Sequence, residues 1–325
     1  VHGMVNIPLS DSWYYRGNIQ GLSEDGYLEN LAGGDDLGYH QQVSTRHSLR
    51  YSGDALDAIF TVTYEDREQD PSVYWDPAVG LDKNRVNIDL GDKGFDKSGI
   101  FGFTANVQWD LNESYSVSSI TGYKTYKFDY LEDYDARPEY IDHFHQKNDV
   151  DYYSQELRLN FSGDSLNWFV GAAAYDETVD GYFETRYSES DLCRAIARTE
   201  TDDFDGPVSG CTDPLFEAFW GSPIDPTLLD ENKSEASWND VESKGYSIYG
   251  DMTWSITEKH DLTLGARWTY DEKDMRTRVG KSGGALDNNV TWEFHTRGYL
   301  GDNDNWGKFT PRAAVNYEFN EQVSL

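Results

Sequence analysis

The sequence predicts an all-β protein: a transmembrane up-and-down antiparallel β-barrel, of which these 325 residues carry about eleven to twelve strands, with long loops at one end and short turns at the other. Three observations predict this. Apolar and polar residues alternate with a period of two along most of the chain, and almost nothing repeats at the helical period. Mean hydropathy is only −0.73 although the chain holds 10 Trp, 23 Tyr and 15 Phe; a membrane barrel shows this combination because only every second residue of each strand faces lipid. The connections between the alternating runs are by turns short and long.

The elements follow in order. Strands at residues 4–9 and 13–21 flank a turn at Ser10-Asp11, and 43–51 and 55–65 flank Ser52-Gly53-Asp54. Residues 101–110 and 114–128 meet at 110–113, 151–161 and 168–187 at 162–165, and 245–256 and 260–271 at 257–259. An eleventh strand, 309–319, leads through Asn320-Glu321 to a twelfth starting at Gln322. The short turns are rich in Gly, Asp, Asn and Ser, as tight hairpins require. Long connections at 22–42, 66–100, 129–150, 188–244 and 279–308 separate these hairpins. In one up-and-down barrel, strict alternation puts every short turn on one rim and every long loop on the other; a two-sheet sandwich gives no reason for it.

The faces support the barrel over a packed sandwich. In 260–271, Leu262, Leu264, Ala266, Trp268 and Tyr270 share one face and Thr263, Gly265, Arg267, Thr269 and Asp271 the other. Leu157, Leu159 and Phe161 oppose Glu156, Arg158 and Asn160; Phe101, Phe103, Ala105, Val107 and Trp109 oppose Thr104, Asn106, Gln108 and Asp110. The polar face also carries Arg46, Arg50, Arg312 and Glu318, which fits a watery interior and not a dry core. Aromatic residues gather towards strand ends: Trp13, Tyr14 and Tyr15, then Tyr123, Tyr126 and Tyr130, then Trp254, Trp268 and Tyr270. Girdles at the lipid boundary account for them, with ordinary cross-strand pairing as the alternative.

Composition excludes several classes. The formal charge of −32 and the lack of any basic run exclude nucleic acid as a partner. No stretch reaches the ~18 apolar residues of a membrane helix, the longest run being 168–175. The aromatic content excludes disorder. Gly-x-Ser-x-Gly, His-Glu-x-x-His, phosphate-binding Gly-rich loops and Cys-x-x-Cys are all missing, so no enzymatic activity and no cofactor are expected.

Residues 188–242 hold fourteen acidic side chains against Arg194, Arg198 and Lys233, a net charge of −11. Such a loop either captures ligands through its field or is simply a solvated surface. It contains both cysteines, Cys193 and Cys211, expected as a disulfide closing the loop in an oxidising compartment, with two buried thiols as the alternative. Asp302-Asn303-Asp304-Asn305-Trp306-Gly307 is spaced like the start of a calcium loop, but Ala313 stands where a bidentate Glu belongs. His143 and His145 are expected as exposed loop histidines, with metal or haem ligation a minor reading; no metal site is assigned. Val1 follows no initiator Met, charged n-region or apolar signal core, so a leader or larger N-terminal portion is expected before it, and Leu325 falls at an apparent strand start.

Six segments in order resemble the barrel of TonB-dependent outer-membrane receptors: Val5-Asn6-Ile7-Pro8-Leu9-Ser10-Asp11, Ser119-Ile120-Thr121-Gly122-Tyr123-Lys124, Ser154-Gln155-Glu156-Leu157-Arg158-Leu159, Trp168-Phe169-Val170-Gly171, Leu262-Thr263-Leu264-Gly265-Ala266-Arg267-Trp268-Thr269 and Thr310-Pro311-Arg312. The resemblance implies a 22-stranded barrel in the outer membrane of a Gram-negative bacterium, occluded by an N-terminal plug. It also implies uptake of a scarce ligand (siderophore, cobalamin, saccharide or similar) with energy from the TonB-ExbB-ExbD complex. Residues 1–325 then correspond to the first half of the barrel, without plug, TonB box or C-terminal strands. Partners implied are outer-membrane lipid, the energy-transducing complex through the missing N-terminal region, and a small-molecule or oligosaccharide ligand. Tyr130, Tyr134, Trp220, Trp238, Trp292 and Trp306 are the aromatics expected to stack on it. A passive porin is the alternative, and a secreted all-β binding module a more distant one.

Overall fold

In the computed structural model, which describes residues 1–75, 84–90, 93–199, 208–287, 290–320 and 323–324, the strands are β1 (His2–Pro8), β2 (Trp13–Glu24), the short β3 (Glu29–Asn30), β4 (His40–Ser52), β5 (Leu56–Gln69), the short β6 (Arg85–Val86), β7 (Phe95–Asp110), β8 (Tyr115–Asp133), β9 (His143–Ser162), β10 (Leu166–Tyr187), β11 (Lys233–Thr257), β12 (His260–Val279), β13 (Leu300–Asn320) and the two-residue β14 (Val323–Ser324). β3 and β6 form a separate parallel pair. All the others belong to one sheet in which each strand pairs antiparallel with the next along the chain. This meander puts the short connections at one end and the long ones at the other. All eleven expected strands are present; Gln322, where the twelfth was expected to start, lies outside the described residues.

Strand length is the main departure from expectation. β9 starts at His143, not near 151; β11 at Lys233, not near 245; β13 at Leu300, not near 309. Their long-loop ends stay in register, as in Asp129↔Lys147 and Arg186↔Ser234. Beyond a membrane both faces of a strand meet water or loops, so alternation fades while backbone pairing continues. The helices α1 (Glu189–Thr199) and α2 (Pro214–Trp220) were also not expected.

Within the lower part of the sheet, the register defines a band. Trp109 and Phe101 on β7, Tyr115 and Tyr123 on β8, Phe161 and Tyr153 on β9, and Trp254 and Tyr246 on β11 are each eight residues apart on one face. Eight residues span about 26 Å along a strand, or about 20 Å of depth at the usual ~40° tilt, and the rings extend this to the ~25 Å of an outer-membrane barrel. Rings within each row touch: Tyr115 and Phe161 at 4.9 Å and Phe161 and Trp168 at 5.6 Å near the short turns, Tyr246 and Tyr270 at 5.1 Å in the other row. Between the rows, Leu157, Ile248 and Leu264 are exposed, as lipid-facing side chains are.

The opposite face is a ladder of charges and rings. Tyr249 donates to Glu156 at 2.5 Å, and Glu156 also pairs with Arg158 at 3.0 Å. The Arg158 guanidinium lies 4.6 Å from the Phe169 ring, and that of Arg267 lies 5.5 Å from Tyr249. Tyr175 donates to Asp271 at 3.0 Å, and Arg312 to Asp251 at 3.2 Å. Gly171 makes room for this packing, since a Cβ there would meet the Tyr249 ring at 2.5 Å. Among the described residues no helix is long and apolar enough to cross a membrane.

Candidate ligand-capture surface

The long connections build a folded cap. Ser188 accepts from the Asp191 N–H at 3.1 Å and so caps α1, whose first turn carries Glu189 and Asp191 and whose last carries Arg198, both favourable to the helix dipole. α2 is capped by Asp213, begins with Pro214 and stops at Gly221 in the left-handed region (φ 84°). A Cys193–Cys211 disulfide ties α1 to the approach of α2. Around it Ala197, Phe216 and Ile224 form a small core that also takes in Leu286 from the next long connection.

Two buried carboxylates lock these connections together. Glu189, fully buried, accepts from Lys233 Nζ at 2.9 Å and from the N–H groups of Leu286 (2.8 Å), Ala285 (2.9 Å) and Asp230 (2.8 Å). Burial works against its charge, yet these donors hold it below the usual carboxylate range. Lys233 Nζ also donates to the Gly283 carbonyl at 2.7 Å and the Asp287 carbonyl at 2.5 Å. Glu235 accepts from Tyr187 at 2.6 Å and from the N–H groups of Thr291 (3.0 Å) and Trp292 (3.3 Å). Part of the acidic charge is therefore structural and inward.

The six aromatics expected to stack on a ligand are dispersed. Tyr130 is on β8, its hydroxyl on Glu132; burial and that carboxylate push it up to about 12. Tyr74 shares Glu132 and meets exposed Tyr134 edge-on at 5.4 Å, so Tyr130, Tyr134 and Tyr74 form one patch. Trp220 stacks on Phe216 inside the cap. Trp238 lies on β11 with the Arg278 guanidinium 3.9 Å from its ring. Trp292 Nε1 is buried without a hydrogen-bond partner among the described residues. Trp306, on β13 opposite Asp271, projects from the polar face, which holds a hollow of about 300 Å³ lined by Tyr152, Glu156, Tyr175, Arg267 and Asp271. The 302–307 segment is extended strand paired with β12, not a cation-wrapping loop.

The two histidines correct the expectation of exposed loop positions: both are on β9, His143 at 7% and His145 at 6% exposure. Long upper strands bring neighbouring segments over them. His145 bridges Asp129 (2.8 Å) and Glu184 (3.3 Å). Burial opposes the charge of Glu184, but His145 and Arg186 outweigh it and hold the carboxyl at about 2. His143 Nε2 lies 2.7 Å from Asp89, and Asp89, Asp133 and His143 present ligand-type atoms all within 4.8 Å of one another. Burial, then Asp89, push Asp133 up to about 7, and burial pushes Asp135 up to about 8. Nothing in the local sequence flags Asp89, which is distant in the chain. The α1 start, by contrast, is legible as Ser188-Glu189-Ser190-Asp191.

The sequence matches the family described as "TonB dependent receptor-like, beta-barrel" over residues 13–325. No curated protein matches it. Among solved structures, it is similar to the ferric yersiniabactin uptake receptor FyuA of Yersinia pestis (TM-score 0.66, 14% identity, 98% of this chain and 42% of that one). It is also similar to the open form of the ferric-catecholate import receptor Fiu of E. coli K12 (TM-score 0.56, 13% identity, 98% and 50%). The ferric preacinetobactin receptor BauA of Acinetobacter baumannii gives 0.52, with 14% identity, 99% and 44%. The chain thus spans half or less of the length of these structures, and identities this low speak for the fold alone. With the family match running over nearly the whole chain and the banded meander beneath its cap, the chain belongs to the TonB-dependent receptor β-barrel family, a family of receptors and transporters of the Gram-negative outer membrane.

Proposed function

We propose that this chain forms the ligand-gathering half of an outer-membrane uptake receptor energised through TonB, ExbB and ExbD. The observation that carries the reading is the cap: its long connections are locked by Glu189 and Lys233 at the far end of a sheet whose polar face is lined with aromatic and charged side chains. A passive channel needs no such built surface. The two free edges of the sheet, β1 and β14, need partners in lipid; strands beyond this chain supply them, and a plug fills the interior.

Iron chelates are the ligand class, in line with the ferric compounds named for the similar structures. The charge of −32, with −11 over residues 188–242, repels polyanions and favours neutral or cationic chelates. Cells producing the full-length protein are given radioactive iron as a cationic trihydroxamate or an anionic tris-catecholate complex, with and without an uncoupler. Accumulation of the first, abolished by the uncoupler, is expected. Uptake that survives the uncoupler contradicts the energised receptor in favour of a porin, and preference for the anionic complex contradicts the charge argument.

A further inference from the structure

We propose that Asp89, Asp133 and His143 bind a divalent transition-metal ion, zinc by the chemistry of the donors, as a resident ion that pins the 84–90 segment to the β8–β9 hairpin. The three side chains come from three places: a long connection, the last residue of β8 and the first of β9. Their donor atoms lie within 4.8 Å of one another, with His143 Nε2 2.7 Å from Asp89 Oδ1.

The second observation is an unmet group. Asp133 is 2% exposed, and its Oδ1 accepts from the Ala136 N–H at 3.0 Å, while its Oδ2 is buried with no hydrogen-bond partner among the described residues. A carboxylate oxygen withdrawn from water without a donor is costly, and a cation is the partner that a neighbouring carboxylate and imidazole can share with it. Asp135 Oδ1 is also buried without a hydrogen-bond partner among the described residues, and its carboxyl group feels the charges of Asp133 and Asp89.

The donor set selects the ion. Imidazole with carboxylates suits zinc and its divalent neighbours. Calcium and magnesium prefer all-oxygen shells, and a soft ion would want sulfur, which is absent here because both cysteines are joined in the disulfide. Burial marks the ion as structural: it would sit beneath the surface, where it crosslinks the hairpin already joined to the 84–90 segment by the Asp89 N–H to the Arg137 carbonyl at 3.2 Å.

The test uses the full-length protein in detergent, stripped with a chelator and then dialysed against zinc alone, with calcium and magnesium as comparators. One zinc per chain is expected, uncompeted by millimolar calcium, with X-ray absorption showing one imidazole and otherwise oxygen ligands. Asp133→Asn and His143→Gln each weaken binding at least about tenfold, whereas His145→Gln leaves it unchanged. Zinc is also expected to slow proteolysis within 84–90, so that wild-type spectroscopy and proteolysis decide the matter even if a variant fails to assemble. Zinc affinity in both variants unchanged from the wild type, a sulfur-containing or imidazole-only shell, or no stoichiometric zinc in the wild type overturns the proposal.

Discussion

Lys233 and Glu189 carry the cap at the scale of single residues. Lys233 is 1% exposed, and removing it leaves Glu189 as a buried charge short of a partner, a change that costs about 3–5 kcal/mol. Lys233→Met is therefore expected to release residues 188–232 to proteolysis while the barrel keeps its heat-resistant mobility in detergent gels. Adding Glu189→Leu recovers less than half of the loss, because Leu cannot replace the acceptor of three backbone N–H groups. Glu184 gives a pH signature. Its folded carboxyl titrates at about 2 against the ordinary 4.5, so it contributes stability above pH 4.5 that is lost as the pH falls towards 2. That contribution is on the order of 3 kcal/mol. Glu184→Gln should flatten the acid limb of thermal unfolding curves measured between pH 2.5 and 5; an unchanged limb would show that the His145–Glu184–Arg186 network is inert.

Elements differ in how much of them the sequence reveals. Residues 101–110 and 260–271 are legible because one of their faces meets lipid and the other water. Residues 129–133 and 143–150 are not, because both faces leave the apolar band: Tyr130 and His145 are paired strand residues in a stretch that reads as loop. α1 carries a readable cap at Ser188, but it is short and its apolar side meets a core assembled from two distant connections, which local periodicity cannot show. Trp238 and Trp306 are likewise strand residues in segments that read as loops, and of the six aromatics only Tyr130 and Tyr134 share a patch. The faces give the test at this scale. Ala105 and Asn106 are adjacent on β7, one on the lipid face near the middle of the band and the other on the polar face. Ala105→Arg is expected to cost about 2–4 kcal/mol in folding into lipid vesicles, and Asn106→Arg far less. Removing the disulfide with Cys193→Ser and Cys211→Ser costs the cap about 3 kcal/mol, read as faster proteolysis of 188–232 with barrel assembly unaffected.

The molecule as a whole is segregated: the apolar band and aromatic rows lie near the short turns, and the helices, the buried locks and the acidic 188–242 segment lie at the far end. The strands run well past the band, and this lifts the cap clear of lipid into water. Charge belongs to this scale as well, since a field set by a net −32 acts on any approaching ligand before contact. Its trace would be ligand association that slows as salt rises for a cationic chelate and quickens for an anionic one. The most direct measurement of the segregation is labelling of intact cells with a membrane-impermeant maleimide, using Ser222→Cys beyond α2 and Asp164→Cys in the turn between β9 and β10, both exposed positions. Ser222→Cys is expected to be labelled on whole cells and Asp164→Cys only after the outer membrane is opened; labelling of both on intact cells, or of Asp164→Cys alone, would contradict this segregation.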